Sequence, residues 1–113
     1  MATPGADAVR PGSRTAATLF CALVLGAAQA APRTHTIVIE GMQFTPATLV
    51  VKRGDRVVWR NSDLVPHTAT AAGVFDSRTI AAGQSWQWVA GSPGELRYVC
   101  TLHPTMKATL VVQ

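Results

Sequence analysis

Residues 85–100 read Ser85-Trp86-Gln87-Trp88-Val89-Ala90-Gly91-Ser92-Pro93-Gly94-Glu95-Leu96-Arg97-Tyr98-Val99-Cys100. The first five residues alternate strictly, with both tryptophans on one face. Glu95 to Cys100 alternates again, with Leu96, Tyr98 and Cys100 together. Side chains of an extended chain point to opposite faces with a period of two, so each run describes a strand with one buried face. Ser92-Pro93-Gly94 lies between them and reads as a turn, because proline presets φ and glycine tolerates positive φ.

The same pattern extends outward. His35 to Glu40 alternates, with Ile37 and Ile39 on one face. Leu49-Val50-Val51-Lys52 is a short β-branched run, Arg53-Gly54-Asp55 turns the chain, and Arg56-Val57-Val58-Trp59-Arg60 returns it. Thr68 to Ala71 reads as a weak strand, and Ala108 to Val112 closes the chain with Leu110 and Val112 inward. Short strands at this spacing, separated by Gly, Pro, Asn and Asp, predict an all-β sandwich or barrel. After residue 30 no segment has a helical period, and repeats and low-complexity stretches are absent.

Composition limits the alternatives. The chain has 113 residues, which by length is one domain at most. It is 48% hydrophobic and only 14% charged, the reverse of a disordered chain. Ten Lys and Arg against six Asp and Glu give +4, spread without a basic run or interleaved aromatics, so no nucleic-acid partner is expected. No apolar run reaches the ~18 residues of a membrane span, so stable membrane insertion is not expected.

The first thirty residues read as a signal peptide. Arg10 and Arg14 precede the apolar stretch from Thr15 to Gly26, and Ala28-Gln29-Ala30 follows. A basic start, a short apolar run and an A-x-A end describe a cleavable export signal. Residues 31–113 are then the mature domain, expected in the periplasm. Cleavage removes Cys21 and leaves Cys100 as a lone thiol in an oxidising compartment, where it needs burial, a partner or a metal. A domain of about 80 residues buries only ~60–65% of its unfolded surface. Phe44, Trp59, Phe75, Trp86, Trp88 and Tyr98 are expected to supply much of that small core.

The chemistry lies near the C-terminus, in Cys100-Thr101-Leu102-His103-Pro104-Thr105-Met106. Taken singly, Met106 reads as a core residue, His103 as a surface histidine and Cys100 as a buried thiol. Together, at a strand end, they form Cys-x-x-His-x-x-Met on one loop. Upstream, Pro66-His67 precedes another short strand and is placed to bring a second imidazole to the same end. Thiolate and thioether are soft donors suited to copper(I), and imidazole holds both copper states. Three strong ligands with a weak axial methionine make a blue-copper electron-transfer site, whereas zinc more often takes Cys and His without a thioether. Four protein donors leave no open position for substrate, and no acid/base pair or serine triad is present, so an enzyme is not expected. His35 reads as a surface strand residue, and Asp55, Asp63 and Asp76 as turn residues bonding their own backbone.

The chain after residue 30 resembles the cupredoxins, the small type 1 blue copper proteins, and most of all the amicyanin and plastocyanin group. The resemblance runs from Ile39-Glu40-Gly41-Met42-Gln43-Phe44-Thr45-Pro46 through Val51-Lys52-Arg53-Gly54-Asp55 and Val58-Trp59-Arg60-Asn61 to Pro66-His67-Thr68. It continues through Tyr98-Val99-Cys100 to His103-Pro104 and Met106, with the short ligand-loop spacing of amicyanin. It implies a Greek-key β-sandwich of seven or eight strands and one copper ion. His67, Cys100 and His103 are then the equatorial ligands and Met106 the axial one. Cupredoxins often carry Asn just after the first histidine, tying the two ligand loops together; here Thr68 stands there. Leu102 and Thr105 stand where amicyanin has Pro and Phe. The implied function is periplasmic transfer of single electrons. The implied partners are a redox donor and acceptor met transiently by a monomer, through an apolar patch of Leu102, Pro104 and Pro66 around His103. Copper delivery or resistance through the same ligands is the alternative, and it predicts labile metal exchange.

Overall fold

The computed structural model describes residues 2–3, 5, 11–12, 15–22 and 30–113. Arg10, Arg14 and residues 23–29 of the expected signal peptide lie outside the described residues, while residues 15–22 form no regular element. Nine strands are seen among the described residues: β1 Thr34–Glu40, β2 Gln43–Thr45, β3 Thr48–Val51, β4 Arg56–Asn61, β5 Thr70–Ala71, β6 Phe75–Asp76, β7 Ser85–Val89, β8 Gly94–Val99 and β9 Lys107–Val112. They form two mixed sheets, ordered β2-β1-β4-β7 and β3-β9-β8-β5-β6. β1 runs parallel to β4, and β3 runs parallel to β9. Parallel neighbours cannot be joined by a hairpin, so the chain crosses between the sheets as it goes from β1 to β4. The result is the all-β sandwich expected from the alternating pattern.

Inward faces match the expected residues. Ile37, Ile39, Trp59 and Leu110 are fully buried, and Tyr98 and Val112 nearly so. Trp59 sits opposite Trp86 across the β4–β7 ladder, and Val57 opposite Trp88. β7 and β6 are edge strands of the two sheets, and Phe75 of β6 meets Trp88 and Trp86 with ring centroids 4.9 and 5.8 Å apart. Aromatic rings therefore close this side of the sandwich. Phe44 packs edge-on against Tyr98 at 4.8 Å, and Trp59 does so at 5.6 Å, an arrangement favoured by the ring quadrupoles. The Trp59 indole nitrogen and the Tyr98 hydroxyl are buried without a hydrogen-bond partner. Burial pushes the Tyr98 phenol up to about 12, so it stays neutral.

The strand count exceeds the expected seven or eight because β2 and β6 are very short and exist only through their neighbours. The weak strand expected over Thr68 to Ala71 shrinks to Thr70–Ala71. Thr68 leaves the ladder because its N–H and its hydroxyl have other partners, described below. Cys100 falls one residue beyond β8, at the point where the chain turns toward β9.

One pole of the sandwich collects the ends of β1, β4 and β8 and the start of β9. It carries the loops 62–69 and 100–106. The opposite pole holds the turn at residues 52–55. There the Asp55 carboxylate accepts the N–H groups of Arg33 and Lys52, each at 3.0 Å, and pairs with His35 Nε2 at 2.9 Å. The Arg33 N–H bond, the His35 bond and the Lys52 N–H bond together hold this acid down at about 2. His35 is thus a half-buried partner of Asp55 rather than a free surface residue.

Candidate metal centre

Asn61, at the end of β4, shapes the first loop. It is fully buried, and its amide donates to the carbonyls of Val65 and Ile80 at 2.8 and 2.9 Å, while its oxygen accepts the Asp63 N–H at 2.9 Å. The loop is thereby folded back so that His67 pairs with Ile80 through both backbone bonds, at 3.1 and 2.7 Å. This leaves the His67 side chain wholly buried, pointing inward at the pole.

The second loop is held by its own backbone. The His103 N–H donates to the Cys100 carbonyl at 3.2 Å, the Met106 N–H to the His103 carbonyl at 2.9 Å, and the Cys100 N–H to the Met106 carbonyl at 3.1 Å. Seven residues thus close on themselves, with Cys100 and Met106 buried and His103 half-exposed.

The two loops meet at the sulfur. Cys100 Sγ lies 3.7 Å from His67 Nδ1 and 3.7 Å from His103 Nδ1. The three donor atoms lie within 4.8 Å of one another, and among the described residues this is the group of His, Cys, Asp or Glu side chains able to hold an ion. Ligand bonds of about 2.0 Å to nitrogen and about 2.3 Å to sulfur, set about 120° apart around one ion, place the sulfur about 3.7 Å from each nitrogen. Both sulfur–nitrogen distances therefore fit two imidazoles and a thiolate around one ion. Met106 is 4% exposed on the same loop, in keeping with a buried thioether beside such a set.

The surroundings of the sulfur are equally specific. The Thr68 N–H donates to Cys100 Sγ at 3.3 Å. The Thr68 hydroxyl accepts the Thr101 N–H at 2.8 Å and lies 3.0 Å from the Thr101 hydroxyl, and the Thr70 hydroxyl adds a bond at 3.1 Å. Threonine thus ties the two loops at the position where cupredoxins often use asparagine.

Asp63 is the residue that sequence reading missed. It bonds across the fold rather than to its own turn. Its carboxylate receives His67 Nε2 at 2.8 Å and the N–H groups of Gly41 and Met42 at 2.7 and 3.0 Å. Desolvation raises the Asp63 pKa, but the Met42 N–H, the His67 ring and the Gly41 N–H outweigh it and hold the acid below its ordinary value. The available signal was the spacing of Asp63 and His67, four residues apart. Asp76, in contrast, does bond its own turn, accepting the Arg78 N–H at 2.8 Å.

His103 is half-exposed, and Pro66, Leu102 and Pro104 are exposed. Leu64, at 96% exposure, Val65 and Met42 are also exposed apolar side chains.

Known proteins carry the same architecture. A cupredoxin-like domain model matches residues 14–112. Amicyanin-alpha of Methylorubrum extorquens is 33% identical over 96% of this chain and 95% of its own length. Amicyanin of Paracoccus denitrificans is 30% identical over 77% of this chain and 71% of its own. A solved amicyanin variant in its Cu(I) form superimposes with a TM-score of 0.67 and 28% identity, over 75% of this chain and 87% of that one. Fold, donor geometry and relatives agree: the chain belongs to the cupredoxin-like family, as an amicyanin-like member.

Proposed function

We propose that this chain is a periplasmic blue copper protein that carries single electrons between redox partners. Residues 1–30 act as the export signal and residues 31–113 as the copper-binding domain. His67, Cys100, His103 and Met106 would hold the copper ion. The observation that carries this reading is the convergence of one sulfur and two Nδ1 atoms from loops more than thirty residues apart in sequence, with a backbone N–H already aimed at the sulfur. Bound copper would supply a one-electron couple, copper(I)/copper(II), and no chemistry on a substrate.

The protein's part is to keep its donors still while charge changes. His67 is buried and bonded through its ring to Asp63 and through its backbone to Ile80. Cys100 is fully buried and receives the Thr68 N–H, which stabilises negative charge on sulfur. The Thr68–Thr101 tie keeps the two loops in register. His103 is the most exposed of the three donors, and the exposed Leu102 and Pro104 flank it in the chain. A small apolar contact of this kind suits brief redox encounters, which lie at the low end of interface sizes. Four protein donors leave no position for a substrate, in keeping with a carrier rather than an enzyme.

Stopped-flow reduction and reoxidation of the copper-loaded protein, run beside transfer of copper to a chelator, tests this function. The carrier reading expects electron exchange far faster than metal loss. Loss of copper on the timescale of reduction would overturn it in favour of copper delivery.

A further inference from the structure

The β1–β2 turn is built from Gly41 and Met42, with φ of 61° and 59°. Positive φ at both central residues is the twist-matched two-residue hairpin, which closes the Glu40–Gln43 pair. Glycine adopts it freely, whereas methionine there is uncommon and needs a compensating contact. Asp63 supplies that contact: both turn N–H groups point at its carboxylate, more than twenty residues away. The same carboxylate bonds His67 Nε2 at 2.8 Å. An ionised carboxylate only accepts, so Nε2 must carry the proton, and the lone pair of His67 is left on Nδ1, the atom 3.7 Å from Cys100 Sγ.

We propose that Asp63 is a positioning residue for the metal centre: it clamps the β1–β2 turn to the 62–67 loop and sets the His67 tautomer, ring orientation and donor strength. This rests on the copper reading of the site. The consequence is an asymmetry between the two imidazoles. His67 is anchored by a carboxylate and buried, while His103, among the described residues, has no carboxylate within bonding distance and is half-exposed. A carboxylate partner makes the imidazole a stronger donor. Stronger donation favours copper(II) over copper(I), so Asp63 lowers the reduction potential.

Asp63→Asn is the informative change, because its amide cannot replace the carboxylate. One carboxylate oxygen takes Gly41 N–H, and the other takes both Met42 N–H and His67 Nε2. Either orientation of an amide sets its NH2 group against at least one of these donors. Glu40→Gln is the control, since it removes one negative charge at the end of β1 beside the same turn without touching His67.

The metal-free protein gives the first readout: nitrogen-15 NMR of His67. The wild type is expected to be the Nε2–H tautomer alone, and Asp63→Asn to show a mixture. In the copper-loaded protein, loss of such a partner typically lowers metal affinity about 10–100-fold. A loss tenfold greater for copper(II) than for copper(I) raises a one-electron potential by about 59 mV. Glu40→Gln is expected to move it far less. The assignment is overturned if Asp63→Asn keeps the wild-type tautomer and potential, or if Glu40→Gln raises the potential equally. Failure of the wild type to bind copper would sink the copper reading, while the metal-free NMR would still decide the role of Asp63.

Discussion

Replacing Thr68 by Val tests how the two ligand loops are joined. Valine keeps the shape of a side chain that is 4% exposed but removes the oxygen used by three groups of two neighbours, Thr70 and Thr101. The losses are unequal. Thr101 is exposed and Thr70 half-exposed, so their hydroxyls re-pair with water at little cost. The Thr101 N–H, bonded at 2.8 Å in a part-buried position, loses its acceptor. Leaving such a donor unpaired costs ~1–3 kcal/mol, and partial exposure places it near the lower end, about 1–2 kcal/mol. For a domain of this size each kcal/mol shifts the midpoint by ~4–8 °C, so the metal-free variant should melt roughly 4–16 °C lower. Thr101→Ala keeps the N–H bond and loses only the exposed hydroxyl pair, so it should cost less than ~0.5 kcal/mol. Thermal unfolding followed by circular dichroism measures both. Equal losses for the two variants, or a Thr68→Val protein as stable as wild type, would refute the view that the Thr68 oxygen ties the loops.

Other outcomes follow from the same geometry. The Asp55 acid titrates at about 2 in the folded chain against 3.8 ordinarily, so the stability it lends is complete above about pH 4 and is lost as pH falls toward 2. Acid unfolding of Asp55→Asn should therefore lack that leg of the curve, and an unchanged acid profile would contradict the far-pole network. Met106→Leu should keep the visible band and copper but raise the reduction potential, because a weak axial donor tunes the potential without forming the main bonds; voltammetry checks it. Leu102→Lys should slow electron self-exchange, measured by NMR line broadening, while leaving spectrum and potential unchanged. A charge there obstructs docking of apolar patches but touches no donor.

Particular elements explain what was readable from sequence. Ser85–Val89 and Glu95–Val99 were legible because each buries one face, which stamps a period of two on the residues. β2 and β6, at 3 and 2 residues, are too short to carry a period and exist only through their pairing partners. The strand expected at Thr68 fails because that residue gives its N–H to sulfur and its hydroxyl to the next loop, interactions that alternation does not encode. Cys100, His103 and Met106 could be grouped because they share one short loop. Asp63 offered only its four-residue spacing from His67, since its partners at Gly41 and Met42 come from a distant hairpin, and an aspartate in a turn ordinarily bonds its own backbone.

The most direct measurement is an optical and electron-spin-resonance titration of residues 31–113 with copper(II), run beside Cys100→Ser. An intense sulfur-to-copper charge-transfer band should grow in the visible, saturate at one equivalent and vanish in the serine variant. Copper uptake without that band, or a band that survives in Cys100→Ser, would contradict the assignment of the thiolate and two imidazoles as one metal centre.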